Sequence, residues 1–94
     1  MTESSFGPCT ARGIPRSLAP FLQEYNLDDL DPHEAAHTII ERTLRYGNRA
    51  EIRWLFQSYG EPTIAEWVRR WGKYDLPPPH LAFWRLVLGV EGRE

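Results

Sequence analysis

The chain has 94 residues, of which 41% are hydrophobic and 26% charged, and its formal net charge is −2. This size favours one folded domain and excludes two independent cores, while the single cysteine excludes an intrachain disulfide and a cluster of thiolate ligands. No segment offers the roughly 20 apolar residues that span a bilayer, and the N-terminus lacks the pattern of a secretory signal, so we expect a cytoplasmic protein without a membrane partner.

Residues 1–14 are rich in Ser, Thr, Gly and Pro and show no apolar periodicity. We expect a flexible arm there, followed by one helical domain over residues 15–89 and a short tail over 90–94. Apolar side chains recur at helical spacing after residue 15, but Pro20 allows only a short or broken helix before a connecting turn.

The clearest helix start follows that turn. Asp31 can accept hydrogen bonds from the first helical turn, Pro32 suits the first helical position, and Glu34 completes the pattern of a capping box. Gly47 is expected to end this helix in the left-handed conformation. Its apolar stripe, at three- and four-residue spacing, consists of Ala36, Ile39, Ile40, Thr43 and Leu44.

Three further helices are predicted. Asn48 can cap the second, which should end at Gly60. The third should begin with Glu61 and Pro62 and run for about ten residues until Gly72. The fourth follows a stiff connector over residues 77–79 and ends at Gly89.

The sequence thus predicts an all-α fold, a compact bundle of four to five short helices around an aromatic-rich core. Trp67, Trp71 and Trp84 fall on apolar stripes and are expected in that core. Trp54 lies beside Arg53 and next to its stripe, so we expect an exposed or boundary position, and Trp with Arg is a typical composition of interface hot spots.

Residues 33–37 match the zinc-binding pattern H-E-x-x-H, in which His33 and His37 would be ligands and Glu34 would activate a water. The motif lies in the first, exposed turn of a helix, and no candidate for the third ligand lies in a ligand motif. We therefore favour two solvated histidines over a metal site. Those third-ligand candidates are Glu51, Glu61 and His80.

Cys9 lies in the predicted arm, where nothing fixes a base or an oxyanion donor beside it. The sequence also lacks a Gly-rich phosphate loop. We therefore expect no catalytic residues, no cofactor and no small-molecule substrate.

Charge is distributed unevenly along the chain. Residues 1–41 contain seven acids and two bases, whereas residues 42–73 contain seven bases and three acids. Asp28 and Asp29 do not fit the spacing of a calcium loop and are better candidates for an acidic contact patch. Such a bipolar surface suits a charged protein partner at least as well as nucleic acid.

The second and third helices could form a helix-turn-helix, because a single glycine joins them and Arg69 and Arg70 lie late on the third. The early positions of that helix offer few base-reading side chains, and the pI of about 5.9 is not basic. Binding to operator DNA as a transcriptional regulator therefore stands as the alternative function.

Five segments carry a family resemblance: IP at residues 14–15, IIERTLRYG at 39–47, RWLF at 53–56, YG at 59–60, and FWRLVLG at 83–89. Through them the chain resembles a small prokaryotic family encoded beside nucleotidyltransferase toxins of the AbiEii type. The resemblance implies an antitoxin that covers the toxin's nucleotide or RNA cleft. The surface used would be the acidic patch or arginines such as Arg53, Arg69 and Arg70.

Overall fold

The computed structural model describes residues 7–90 of the chain. Within them the backbone forms two 3₁₀ helices, Arg16–Phe21 and Leu27–Asp29, and four α-helices but no β-strand. The α-helices are α1 (Ala36–Tyr46), α2 (Arg49–Tyr59), α3 (Glu61–Asp75) and α4 (Pro78–Leu88). The predicted all-α bundle is confirmed.

α3 lies at the centre of the bundle and contacts α1, α2 and α4, while α1 also packs on the first 3₁₀ helix. The apolar stripes predicted from the sequence face inward, because burying them is the main favourable term in folding. Side chains that are shielded completely from solvent include Leu18, Ile39, Leu55, Ile64 and Val68.

Three buried tryptophans connect segments that are distant in the sequence. The indole N–H of Trp54 donates to the Gly13 carbonyl (2.9 Å), that of Trp67 to His37 Nδ1 (3.0 Å), and that of Trp84 to the Leu44 carbonyl (3.1 Å). Each aromatic ring therefore contributes both apolar burial and a directional bond to the core.

Trp71 is different from its three counterparts. It is 42% exposed and packs edge-on against the His37 ring at 5.2 Å between centroids. The prediction that it belongs to the core was wrong, because the α3 stripe is wider than the surface that α1 and α4 cover.

Part of the predicted arm over residues 1–14 packs into the folded domain. Residues 1–6 lie outside the described residues, but Thr10 and Ile14 are buried. The Thr10 N–H donates to the Ile14 carbonyl (2.8 Å), and the Ile14 N–H donates to Thr10 Oγ1 (3.1 Å). Because this turn is held by local hydrogen bonds and has no helical repeat of apolar residues, the sequence alone does not distinguish it from a flexible arm.

The first residue of the predicted tail over residues 90–94 also belongs to the folded domain. Val90 is buried, and its N–H donates to the Arg85 carbonyl (2.9 Å). This bond closes α4 beyond Gly89, the residue expected to end the helix, which adopts the left-handed conformation with φ of 69°. The remaining tail residues, 91–94, lie outside the described part of the chain.

α1 begins at Ala36, later than the capping pattern predicted. Asp31 does accept a hydrogen bond from the His33 N–H (2.8 Å), and the Ala35 N–H donates to the Asp31 carbonyl (2.9 Å). Asp31 therefore closes a separate turn before the helix.

Two glycines stand where close packing leaves no room for a side chain, and neither has a positive φ. Gly47 has φ of −70°, outside the left-handed region that was predicted for it. Gly72 lies inside α3 and does not end it. A Cβ atom on Gly72 would stand 2.6 Å from Leu81 Cδ1, so the missing side chain allows α4 to approach α3 closely.

Candidate interaction surface

α4 carries apolar side chains on all sides, a composition that is normally buried all round. Only Trp84 of this helix is fully within the core. Phe83 is 55% exposed, Leu86 82% and Val87 51%. These three residues, which we name the α4 apolar face, lie on one side of the helix because they are spaced by three and four residues.

A groove of about 970 Å³ lies beside this face, between α2 and α4. Its apolar lining comes from Ile52, Phe56, Phe83 and Trp84, and Phe56 and Trp84 lie 6.0 Å apart between ring centroids. Because Phe83 belongs to both, the groove and the α4 apolar face form one continuous surface.

The charged lining of the groove is predominantly positive. Arg45, Arg49 and Arg53 contribute to it, together with the carboxylate of Glu61. We name this cavity the basic groove.

The arginines of the basic groove differ in how far they are neutralised. Arg45 Nη1 lies 3.0 Å from Glu41 Oε2. Arg49 and Arg53 are exposed, and neither forms an ion pair with any residue in the range 7–90. They lie one turn apart on α2, so two guanidinium groups stand on the same side of the helix as an uncompensated positive charge.

The structure places only one of the six predicted contact residues in this groove, namely Arg53. The prediction for Trp54 was wrong. Its side chain is 4% exposed, donates to Gly13 and packs edge-on against Tyr59. The side of α2 that carries Trp54 faces the N-terminal segment, whose folded turn the sequence pattern did not reveal.

Arg69 and Arg70 lie on the exposed side of α3 and do not line the groove. Both contact the carboxylate of Glu66, Arg69 at 2.5 Å and Arg70 at 3.7 Å. Their positive charge is therefore partly offset on their own helix.

The acidic residues of the predicted contact patch are also engaged. Asp28 pairs with Arg16 at 2.7 Å, and Asp29 accepts a hydrogen bond from the side chain of Asn26 at 3.1 Å. Neither carboxylate lines the basic groove, so the structure does not bring the predicted acidic and basic contact residues into one site.

The histidines of the H-E-x-x-H pattern take up different environments. Trp67 donates to Nδ1 of His37, so this nitrogen is the acceptor, and Nε2 carries the proton that faces Asp75 Oδ2 at 2.9 Å. His37 thus connects α1 to α3, whereas the His33 side chain is exposed. In residues 7–90 no group of three or more His, Cys, Asp or Glu side chains is arranged to hold a metal ion.

Sequence reasoning missed the α4 apolar face and Arg49. The sequence showed Phe83, Leu86 and Val87 only as part of a strongly apolar helix. A helix that is apolar on all sides and lies at the edge of a bundle cannot bury all of its apolar side chains, and this was the signal that could have revealed the face. Among the described residues, no helix combines the length and apolar character needed to cross a bilayer.

Comparison with known proteins places part of this architecture in a family. No curated protein and no solved structure matches the chain. Residues 18–68 match DUF6922, described as a family of unknown function. The matched region runs from the first 3₁₀ helix into α3 and includes Arg49 and Arg53, whereas α4 lies beyond it. Since the match covers more than half of its residues, the chain belongs to the DUF6922 family.

Proposed function

We propose that this protein is a cytoplasmic binding module that acts through the α4 apolar face and the adjoining basic groove, and that it performs no chemistry itself. The observation that carries the proposal is the exposure of Leu86, at 82%, between the half-exposed Phe83 and Val87. Contiguous apolar patches bordered by polar residues are typical of protein interaction sites. A partner that covers this face removes apolar area from water, at about 25 cal/mol per Å².

The partner that we propose is a cognate nucleotidyltransferase toxin of the AbiEii type, as the family resemblance implies. The protein would act as an antitoxin by covering the nucleotide or RNA cleft of the toxin. Arg49 and Arg53 then pair with carboxylates of the toxin, since guanidinium groups bind carboxylates in bidentate geometry.

Co-expression with the protein encoded by the neighbouring gene tests this proposal. We expect one complex in size-exclusion chromatography and loss of toxicity in cells. Leu86→Ser should weaken the complex without unfolding the free chain, because this side chain makes few contacts in it. Tyr74→Ser is the matched control, since Tyr74 is 70% exposed on α3 outside the proposed surface.

Two outcomes would contradict these proposals, the first the antitoxin role and the second the use of the α4 apolar face. One is separate elution of the two proteins together with an active toxin. The other is an equal loss of binding in Leu86→Ser and Tyr74→Ser, which would show that the α4 apolar face has no special role.

Nucleic-acid binding by α2 and α3 is the second candidate. It is favoured by the connection between these helices, which consists of Gly60 alone. A gel shift with the protein's own promoter at increasing salt tests it. Binding through several phosphate contacts must weaken steeply as salt rises, and Arg69→Ala with Arg70→Ala should reduce the salt dependence.

A further inference from the structure

We infer that the basic groove binds an acidic amphipathic helix of the protein partner, whose apolar side chains enter the groove while its carboxylates pair with Arg49 and Arg53. This inference rests on the proposed function, because it specifies the chemistry of the segment that the binding module recognises.

The apolar lining establishes one half of the recognition. The groove volume of about 970 Å³ lies at the upper end of the roughly 300–1,000 Å³ of ligand clefts. Ile52, Phe56 and Trp84 form an apolar wall of the groove, and Phe83 extends this wall onto the α4 apolar face. An occupant that fills the groove must therefore present several apolar side chains in a row, and one isolated polar group would not cover this wall.

The unpaired arginines establish the other half. Arg49 and Arg53 are four residues apart, about 6 Å along the α2 axis at 1.5 Å per residue. Carboxylates one turn apart on a partner helix have nearly the same separation, so both ion pairs can form at once. Neutralising them also removes the repulsion between two like charges on the same side of α2.

A nucleic acid would match only the charged part of the groove and not its apolar lining. Its phosphates could pair with the arginines, but its backbone would leave the apolar groove residues Ile52, Phe56 and Phe83 in contact with water. The chain as a whole also carries a net charge of −2, which disfavours the approach of a polyanion at long range. Helix-in-groove recognition by a protein segment accounts for both the apolar and the charged lining.

A synthetic helical peptide with leucines on one face and glutamates one turn apart beside them is a direct probe. We expect the peptide to shift backbone amide resonances of the intact protein at residues 49–57 and 80–84 in ¹⁵N–¹H correlation spectra. A peptide with glutamine in place of glutamate should bind at least about tenfold more weakly, since the charge pairs are lost.

Charge reversal provides the matched variants. Arg49→Glu with Arg53→Glu should weaken binding of the acidic peptide by more than about tenfold, whereas Arg69→Glu with Arg70→Glu should change it by less than about threefold. All four side chains are exposed, so both variants should keep the wild-type circular dichroism spectrum. The two variants carry the same net charge, so any difference between them reports position.

Several results would overturn the inference: no binding of the acidic peptide, equal binding of the glutamine peptide, equal effects of the two double variants, or tighter binding of a single-stranded oligonucleotide at the same resonances.

Failure of the proposed function gives a different pattern. If the toxin does not co-purify while the peptide binds the groove, the groove chemistry stands and the antitoxin role falls. If the toxin co-purifies undiminished with Arg49→Glu and Arg53→Glu, only the groove inference fails.

Discussion

Gly47 has a backbone conformation that any residue can adopt, yet no side chain fits there. A Cβ atom would stand 2.6 Å from the Thr43 carbonyl oxygen and 2.9 Å from Thr43 Cγ2. That oxygen also accepts the Gly47 N–H at 2.8 Å, so it cannot move away without loss of the bond that ends α1. We expect Gly47→Ala to lower the free energy of unfolding by about 1–3 kcal/mol in urea denaturation.

Gly72→Ala is the matched control for this prediction. Its added methyl would meet Leu81 Cδ1 at the same 2.6 Å, but that atom is the tip of a flexible side chain. Alanine in a helix interior also contributes up to about 1 kcal/mol relative to glycine. The loss at position 72 should therefore be smaller, and an equal or larger loss than at position 47 would contradict this account.

Tyr59 provides a prediction at alkaline pH. Its hydroxyl donates to the Pro32 carbonyl at 2.7 Å, and burial, with a smaller contribution from Asp31, raises its pKa from 10.0 to about 12. Because the pKa is higher in the folded than in the unfolded state, the neutral phenol stabilises the fold fully below pH 10, and this contribution is lost as pH rises towards 12.

Tyr59→Phe removes both the hydrogen bond and this titration. At neutral pH we expect a loss of about 1 kcal/mol in the free energy of unfolding. Between pH 10 and 12 the variant should lose less stability than the wild type, as measured by urea denaturation at fixed pH values. Parallel curves for the two proteins would show that Tyr59 does not titrate with folding.

The start of α2 rests on a reciprocal pair of hydrogen bonds. Asn48 Oδ1 accepts the Glu51 N–H at 2.8 Å, and Glu51 Oε1 accepts the Asn48 N–H at 2.9 Å. Glu51 is only 3% exposed, so it depends on this local geometry to satisfy its carboxylate. We expect Asn48→Ala to cost about 1–2 kcal/mol in thermal or urea unfolding.

Asn26→Ala is the comparison for that variant. Asn26 Oδ1 accepts the Asp28 N–H at 3.2 Å at an exposed 3₁₀ helix, where water can replace the bond. Its cost should be smaller than that of Asn48→Ala. The prediction fails if the two substitutions destabilise the chain equally.

Helix boundaries were predictable where local chemistry decides them. Asn48 and Gly60 gave both ends of α2, and Gly89 gave the end of α4. Gly72 misled the prediction because a glycine that ends a helix and one that admits a neighbouring helix look the same in a sequence. The choice between them depends on Leu81 of α4, which is a tertiary contact.

The assembled surface was less predictable than the fold. Periodicity shows which side chains a helix can bury, but only the placement of α4 across a groove from α2 shows that Phe83 lies in that groove with Arg53. Likewise, Trp54 is buried by an N-terminal turn that has no periodic signal. The apolar composition of α4, together with Arg53, was the available indication of this interaction surface.

Two carboxylates that help to hold the N-terminal half to the helices predict the response of the fold to acid. The hydrogen bond from Arg42, at 2.7 Å, holds the pKa of Glu24 below its ordinary 4.5, and the His33 backbone N–H holds the pKa of Asp31 below its ordinary 3.8. Since both pKa values are lower in the folded state, the ionised forms stabilise it above these values. This contribution is lost as pH falls through the folded pKa values.

We therefore expect the wild type to lose stability on acidification below pH 4.5 more steeply than the variant Glu24→Gln with Asp31→Asn. Urea denaturation at pH values on both sides of 4.5 measures the difference. A variant that loses stability as steeply as the wild type would show that other carboxylates control acid unfolding.

The three indole hydrogen bonds described above have a practical consequence for following the folding of this chain. The N–H protons of Trp54, Trp67 and Trp84 each connect a different pair of segments, and each is held in a shielded bond. In deuterated water they should exchange slowly and at separate rates, because each is released only when its own junction opens. The indole N–H of the half-exposed Trp71 should exchange first and provide the reference rate for an indole that no junction protects.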